Sequence, residues 1–381
     1  MTARGFYTLL FGLCLLATAL SVSSPGAFLL GAAALLACAA SLAAVLFAML
    51  SCRITQTVEN RQAVRRGTCR YILRVSMITP LPIAPLTLAI CLPSGKKSEF
   101  ALNTRLFGTT ESDNEFSCPH VGVFPVGVTQ VVFADCFGLF AFRSAIKEPT
   151  AAVTVLPNPR ETSPLRYSPG EGETSAAQRA QADRTTPADT RAWQEGDELK
   201  RVHWKLSMRR QELMVHTYET PQRPDALILL DLAPPPFEGA LRAHAVDALT
   251  ETCAGVMKSL LDCRRTARLP LAGDHPRELS GQEPQALSPM LHALAQESFS
   301  RPTDFSRVLL QASRRMRRTG STAVITASLT PKAADAIIAL SRMGPRTAFT
   351  LVTDHPADQQ QEKLLHLLRA SGVEAEHLLA A

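Results

Sequence analysis

The 381 residues contain no Gly-x-Ser-x-Gly, no Gly-x-x-x-x-Gly-Lys-Ser/Thr and no Gly-x-Gly-x-x-Gly. The signatures of the common hydrolases and of nucleotide and dinucleotide sites are therefore missing. The nine cysteines keep no regular spacing and form no Cys-x-x-Cys. That pattern argues against a disulfide framework or a zinc site and reads as reduced, individually buried thiols. Two of them, Cys14 and Cys38, fall inside apolar runs. His203 and His216 sit in neither His-x-x-x-His nor His-Glu-x-x-His, and no Cys is near. Hydrogen-bonded structural imidazoles are the expectation there. Charge is absent altogether from Phe6 to Leu50.

That uncharged stretch is also almost purely apolar, broken once at Ser21–Gly26. The second run, Ala27–Leu50, exceeds the roughly 20 residues a bilayer core requires, and the first, Phe6–Leu20, is at the short end. The Ser-Ser-Pro-Gly turn between them gives a transmembrane helical hairpin over 1–52. A secretory signal peptide is the rival, since Arg4 precedes the first run, but a longer run follows at once. Arg4 lies before the hairpin, and Arg53, Arg61, Arg65, Arg66 and Arg70 lie after it. By the positive-inside rule both ends face the cytoplasm. The expectation is a multi-pass protein of the inner (cytoplasmic) membrane with cytoplasmic soluble domains. The net charge of +6 owes much to these arginines. Membrane lipid explains them better than nucleic acid does.

Residues 53–156 carry strand signals. Arg70–Ile78 alternates, Leu86–Leu92 is β-compatible, and His120–Phe133 is rich in Val and Phe, with Pro and Gly between them. A small all-β, sandwich-like module is expected. Residues 157–190 are rich in Pro, Ser, Thr, Gly and charge, and read as a flexible linker.

From 220 to 381 strands and helices alternate. Asp225–Leu232, Thr322–Leu329 and Thr347–Thr353 are apolar runs suited to buried parallel strands, with shorter ones at Leu269–Ala272 and Val373–Leu379. Helices are expected at 240–263, 305–318, from Pro331 to Met343, and at 357–370. The result is a doubly wound, mostly parallel α/β sheet with its ligand edge at Asp231, Thr326–Ser328 and Asp354. A von Willebrand factor A-type (vWA) domain holds a divalent cation there with Asp-x-Ser-x-Ser. This chain has Asp231-Leu232-Ala233-Pro234-Pro235, a degenerate site, and no metal or other cofactor is expected. Asp231 reads as a cap on local backbone. Arg314–Arg318 reads as a solvated helix end facing the macrodipole.

The densest stretch is 191–219, which holds both tryptophans of the chain, two His and six Arg/Lys. Gly196-Asp197 is a turn signal, Leu199, Val202 and Leu206 fit a short helix, and Leu213–Tyr218 an edge strand leading to the sheet. Trp204 lies between Lys200/Arg201 and Lys205, suited to cation–π and ion-pair contacts. The segment serves as an internal brace between the neighbouring domains, as a basic and aromatic docking surface, or as both.

In the form R-x-W-x-x-G-D-x-x-K-R-V-H-W-K-x-S-x-R this segment resembles the signature of the DUF58 family, membrane-anchored bacterial proteins of poorly defined activity. The matching residues are Arg191, Trp193, Gly196, Asp197, Arg201, His203, Trp204, Lys205, Ser207 and Arg209. The resemblance extends to the hairpin, to Arg65-Arg66-Gly67, to the Asp135-Cys136-Phe137-Gly138-Leu139-Phe140 turn and to Val153–Pro157. Glu195, where the family usually has proline, and Met208, where a small residue is usual, depart from it. The resemblance implies a vWA-like C-terminal domain and a non-catalytic adaptor or assembly factor working with a MoxR-type AAA+ ATPase. A transglutaminase-like membrane protein is a further implied partner. Two other functions stay open at this point. One is a metal-dependent hydrolase using Asp197, His203 or Asp231. The other is a lipid or polyanion binder using the juxtamembrane arginines and Arg314–Arg318.

Overall fold

The computed structural model describes residues 2–22, 24–78, 83–93, 97–105, 107–146, 151–161, 189–194, 202–217, 225–273, 276–300, 302, 304–314, 316 and 319–380. The chain divides into two units, Met1–Leu156 and Pro157–Ala381.

The first unit opens with two apolar helices, α1 (Ala3–Val22) and α2 (Pro25–Ser51), each long enough to cross a membrane. Ser24 caps α2 by accepting the Ala27 N–H, and Pro25 occupies a first-turn position where no amide donor is needed. The helices approach closely at Gly31: a Cβ there would lie 3.0 Å from the Leu16 nitrogen and 3.1 Å from the Gly12 oxygen. From that crossing, α2 runs about ten residues past the level at which α1 begins. One face of this extra length is core, while Leu46, Phe47 and Leu50 stay exposed. Val45 and Ala48 are fully buried and pack with the β-module.

Among the described residues nine strands follow: β1 (Arg53–Val58), β2 (Gln62–Val64), β3 (Thr68–Ile78), β4 (Leu86–Cys91), β5 (Lys97–Leu102), β6 (Phe107–Ser117), β7 (Gly122–Ala134), β8 (Ala141–Ala145) and β9 (Ala151–Leu156). Strands β1-β3-β6 form an antiparallel sheet, and β2-β9-β7-β4-β5 a second, with β8 also paired to β7. Alternation on β3 sends Cys69, Tyr71, Leu73, Val75 and Met77 inward, where they share one core with Leu86, Leu88 and Ile90 of β4 and Val126, Val128 and Val131 of β7. Gln56 ties the sheets together: its Oε1 accepts from the buried Tyr71 hydroxyl and from the Val128 N–H, each at 2.9 Å.

Two of the arginines read as lipid contacts are engaged inside this unit. Arg65 is buried and donates to the Pro119 carbonyl, and Arg70 pairs with Asp113 and Glu59. All nine thiols are free, but only Cys38, Cys69, Cys118 and Cys253 are buried; Cys52 and Cys91 are half-buried, and the expectation of individually buried cysteines fails outright at the exposed Cys14, Cys136 and Cys263. Those three lie on an outer helix face, in a turn and at a helix end, where no core reaches.

The second unit begins with β10 (Asp189–Ala192), α3 (Trp204–Arg210) and β11 (Met214–Thr217). Then come β12 (Asp225–Leu230), α4 (Gly239–Asp262), β13 (Ala267–Leu271), β14 (Arg277–Gly281), α5 (Leu287–Ala295), α6 (Phe305–Ser313), β15 (Thr319–Thr326), α7 (Pro331–Arg342), β16 (Arg346–Thr353), α8 (Gln359–Ala370) and β17 (Glu374–Leu379). The main sheet runs β14-β13-β12-β15-β16-β17, parallel except for β14. Leu227, Leu229, Val324, Phe349 and Leu351 face α6, α7 and α8 in one core. The alternate residues, such as Ile228 and Leu230, turn to the other face, where α4 buries Leu249, Cys253, Val256 and Leu260.

Several expectations are corrected here. Strand β11 does not join the main sheet but pairs antiparallel with β10. Asp189 and Thr190, assigned to the linker, begin β10. Residues 157–161 lie on α4: Arg160 donates its N–H to the Glu251 carbonyl, and a Cβ at Gly255 would sit 2.0 Å from the Arg160 oxygen. Polar composition signals missing core side chains, yet backbone groups still find partners. The rest of the linker, 162–188, is outside the described residues. Helix α6 stops at Ser313 with Arg314 as its C-cap, short of the Arg318 end expected for it, and Arg315, Arg317 and Arg318 lie outside the described residues.

Candidate functional site

Three local constructions hold the residues singled out by sequence. The first spans 189–217. Strands β10 and β11 pair Ala192 with Met214 and Arg191 with Val215. The ladder is prolonged by Trp193, which donates its N–H to Leu213 O at 2.7 Å, while on the opposite edge of β11 His203 donates its N–H to Met214 O at 2.8 Å. Val202, expected to be helical, is instead extended and bridged to Val215. Its side chain is buried. The helix therefore starts at Trp204.

His203 caps α3, its Nδ1 accepting the Leu206 N–H at 3.3 Å. Gln211, at φ 55°, turns the chain back into β11. Ser207 is the latch. Its buried hydroxyl donates to His203 O at 3.0 Å and accepts the Met214 N–H at 2.8 Å. Ser207→Ala leaves the buried Met214 N–H without its acceptor, an expected loss of about 1–3 kcal/mol. A denaturant titration checks this, and an unchanged midpoint would remove Ser207 from that role.

The outer side of α3 is different. Trp204 is 60% exposed and Met208, one turn on, 81%. Lys205, Arg209 and Arg210 are exposed beside them. Gly196, Asp197 and Arg201 are outside the described residues, as are the side chains of Arg191 and His216.

The second construction is the carboxyl edge of the main sheet. After β12 the chain goes to β13 on one side and later returns to β15 on the other, so the strand order reverses between β12 and β15. Asp231 directly follows β12 there, 5% exposed. Its Oδ1 accepts the Ala233 N–H at 3.0 Å and its Oδ2 the Thr326 hydroxyl at 2.7 Å. Thr326 in turn accepts the Ser328 N–H. Burial pushes the Asp231 carboxyl up, and the Thr326 and Ala233 bonds offset only part of that. Asp354, the third expected group, pairs with its neighbour His355.

Sequence reasoning missed two further groups on this unit. Glu297, nearly buried, accepts from Arg277 at 2.9 Å and lies close against Gly273. It follows α5, a helix too short to show a period. His377 on β17 contacts the Thr353 hydroxyl. Burial, and next His355, push its imidazole down, which keeps it neutral at physiological pH.

The third construction is the turn 135–140 of the first unit. Asp135 is 3% exposed. Its carboxylate accepts N–H groups from Phe140 at 2.7 Å and Phe137 at 3.1 Å, and Gly138 takes φ 68° to close the turn. Burial alone would raise this carboxyl. The Phe140 amide, then the Ser41 hydroxyl and the Leu139 and Phe137 amides, together outweigh it and hold the group below the usual carboxylate range.

Residues 189–369 match a family model described as protein of unknown function DUF58. A comparison with curated proteins finds no match. Among solved structures, the CARDB domain of a Pyrococcus furiosus protein, crystallised in complex with di-metal ions, is 9% identical with a TM-score of 0.19. That likeness covers 28% of this chain and 90% of that one. Cwp6 from Clostridium difficile is 9% identical with a TM-score of 0.20, over 85% of this chain and 49% of its own.

Proposed function

The chain belongs to the DUF58 family through residues 189–369, and from that premise we propose that it is a membrane-anchored, non-catalytic adaptor or assembly factor docking a MoxR-type AAA+ ATPase. The observation that carries this reading is the two-sided character of α3. Its inner side is latched to β11 by Ser207 and His203, while Trp204 and Met208 stand in solvent among Lys205, Arg209 and Arg210. Exposed large apolar side chains on a fixed element, framed by cations, suit an apolar and acidic partner surface.

The hairpin α1–α2 anchors the protein as a two-span membrane segment, with both soluble units cytoplasmic by the excess of Arg after α2. We read the α/β unit as a vWA-like domain whose cation loop has degenerated. Both Asp231 oxygens already accept protein hydrogen bonds, and the loop offers Leu232, Ala233, Pro234 and Pro235 where a hard cation needs about six oxygens. The residues do not fit a metal, which weighs against the hydrolase alternative.

The test is capture of the detergent-solubilised chain from its native membranes, with and without ATP, identifying co-purifying chains by mass. Trp204→Ala is expected to lower recovery of an AAA+ ATPase on the order of tenfold or more, a hot-spot loss of ~2 kcal/mol. Because Trp204 is exposed, the variant should melt like the parent. Undiminished recovery with that variant would overturn the docking surface.

A further inference from the structure

The Asp135–Phe140 turn has no part in the docking surface, yet it is built with unusual care. Asp135 holds it from within through the Phe140 and Phe137 amides, and the Gly138 N–H closes it on the Asp135 carbonyl at 3.1 Å. Two of its three apolar side chains, Leu139 and Phe140, are buried. The third, Phe137, is 73% exposed at the tip. A rigid turn that sorts its side chains this way holds an aromatic ring out of its own core.

The turn is fastened to the start of α1. The Thr2 hydroxyl donates to Gly138 O at 2.6 Å, and the Thr2 N–H donates to Leu139 O at 3.0 Å. The Arg4 guanidinium lies 3.8 Å from where a Cβ on Gly138 would stand. From Thr2 to Phe6, the first exposed aromatic of α1, the helix rises about 6 Å. Phe6, Tyr7 and Phe11 are 51%, 68% and 61% exposed. Arg4, Tyr7, Thr8, Leu10, Phe11 and Cys14 line an open, mostly apolar groove of about 670 Å³ along α1. A cation at one end of an apolar groove matches a phospholipid, phosphate at Arg4 and acyl chain along Tyr7, Leu10 and Phe11.

We propose that the Asp135–Phe140 turn is a membrane-contacting foot: Phe137 enters the headgroup–acyl boundary of the bilayer that holds α1 and α2, with Arg4 on the lipid phosphates. The inference rests on the spanning hairpin proposed above. Since α2 continues as a core helix of the β-module, hairpin and foot together seat that module directly on the membrane surface.

The full chain, carrying Trp193→Phe and Trp204→Phe, is reconstituted in phosphatidylglycerol–phosphatidylcholine vesicles with one tryptophan reporter, Phe137→Trp or Leu36→Trp. Vesicles with bromine near the carbonyl end of the acyl chain should quench the reporter at 137 most. Those with bromine near the chain end should quench the one at 36 most. Quenching at 36 with water-like, unquenched emission at 137 overturns the foot alone, including the case in which Phe137 docks a protein. No quenching at either position removes the hairpin from the bilayer and sinks both readings. The unmutated chain supplies a second readout that does not depend on the reporters folding. A membrane-impermeant maleimide should label Cys136 several-fold more slowly than Cys263 in vesicles, and equal rates would overturn the proposal.

Discussion

Asp135→Ala is expected to lower the unfolding free energy by about 3 kcal/mol, because hydrogen bonds to a charged acceptor contribute ~1.5–3 kcal/mol each and two buried amides lose theirs. Asp135 is 3% exposed, so water does not replace the carboxylate as acceptor without opening the turn. The effect carries a pH signature. Burial raises the carboxyl, but the Phe140 amide, the Ser41 hydroxyl and the Leu139 and Phe137 amides together more than reverse it, and the folded pKa lies below the ordinary value. A depressed carboxyl contributes stability that is fully present above the unfolded pKa of about 4 and is lost as pH falls through the folded value. Melting curves of the detergent-solubilised protein should show that loss below pH 4 in the parent and a flatter profile in Asp135→Ala. Parallel profiles would mean that Asp135 is not the group responsible.

The second large effect has the opposite pH dependence. Thr326→Val should lower the unfolding free energy by about 2–3 kcal/mol at neutral pH, since it removes a hydroxyl donor from the buried Asp231 carboxylate. Burial raises Asp231 despite its Thr326 and Ala233 bonds. A raised carboxyl contributes stability that is complete below the unfolded pKa of about 4 and declines as pH rises through the folded value. Thr326→Val loses one of the bonds restraining that rise, so its deficit should shrink on acidification as Asp231 takes up a proton. Asp231→Asn, neutral at every pH, should match or exceed the parent in melting temperature at pH 7. A clear loss of stability in Asp231→Asn at neutral pH would show that the charge itself is needed, and would reopen the cation reading of that loop.

The chemistry of the candidate site was legible to different depths. Trp204, Lys205 and Arg209 could be marked as a basic and aromatic surface because composition alone isolates them. The exposure of Met208 could not be read, since an apolar residue in a short helix is as often inward. His203 and Ser207 were visible as motif members, but their work as cap and latch depends on the carbonyl and amide of Met214, seven residues beyond Ser207 on another element. Asp231 and Thr326 were placed on the same sheet edge by the order of strands and helices. Their direct hydrogen bond follows only because β12 and β15 are neighbours, joining residues 95 positions apart.

By itself the sequence determined what depends on near neighbours. Uncharged runs made α1 and α2, alternation made β3, and continuous apolar runs made β12, β15 and β16. Serine and threonine followed by proline opened α2 and α7. Tertiary structure alone decided what depends on distant partners. It turned the last turns of α2 into a core helix under the β-module, sent β11 to β10 instead of the main sheet, and added β14 and α5. It also gave two buried aspartates opposite titration shifts. The physical reason is range: periodicity, capping and turn chemistry act over a few residues, whereas burial, strand pairing and carboxylate solvation are set by whatever the rest of the chain brings alongside.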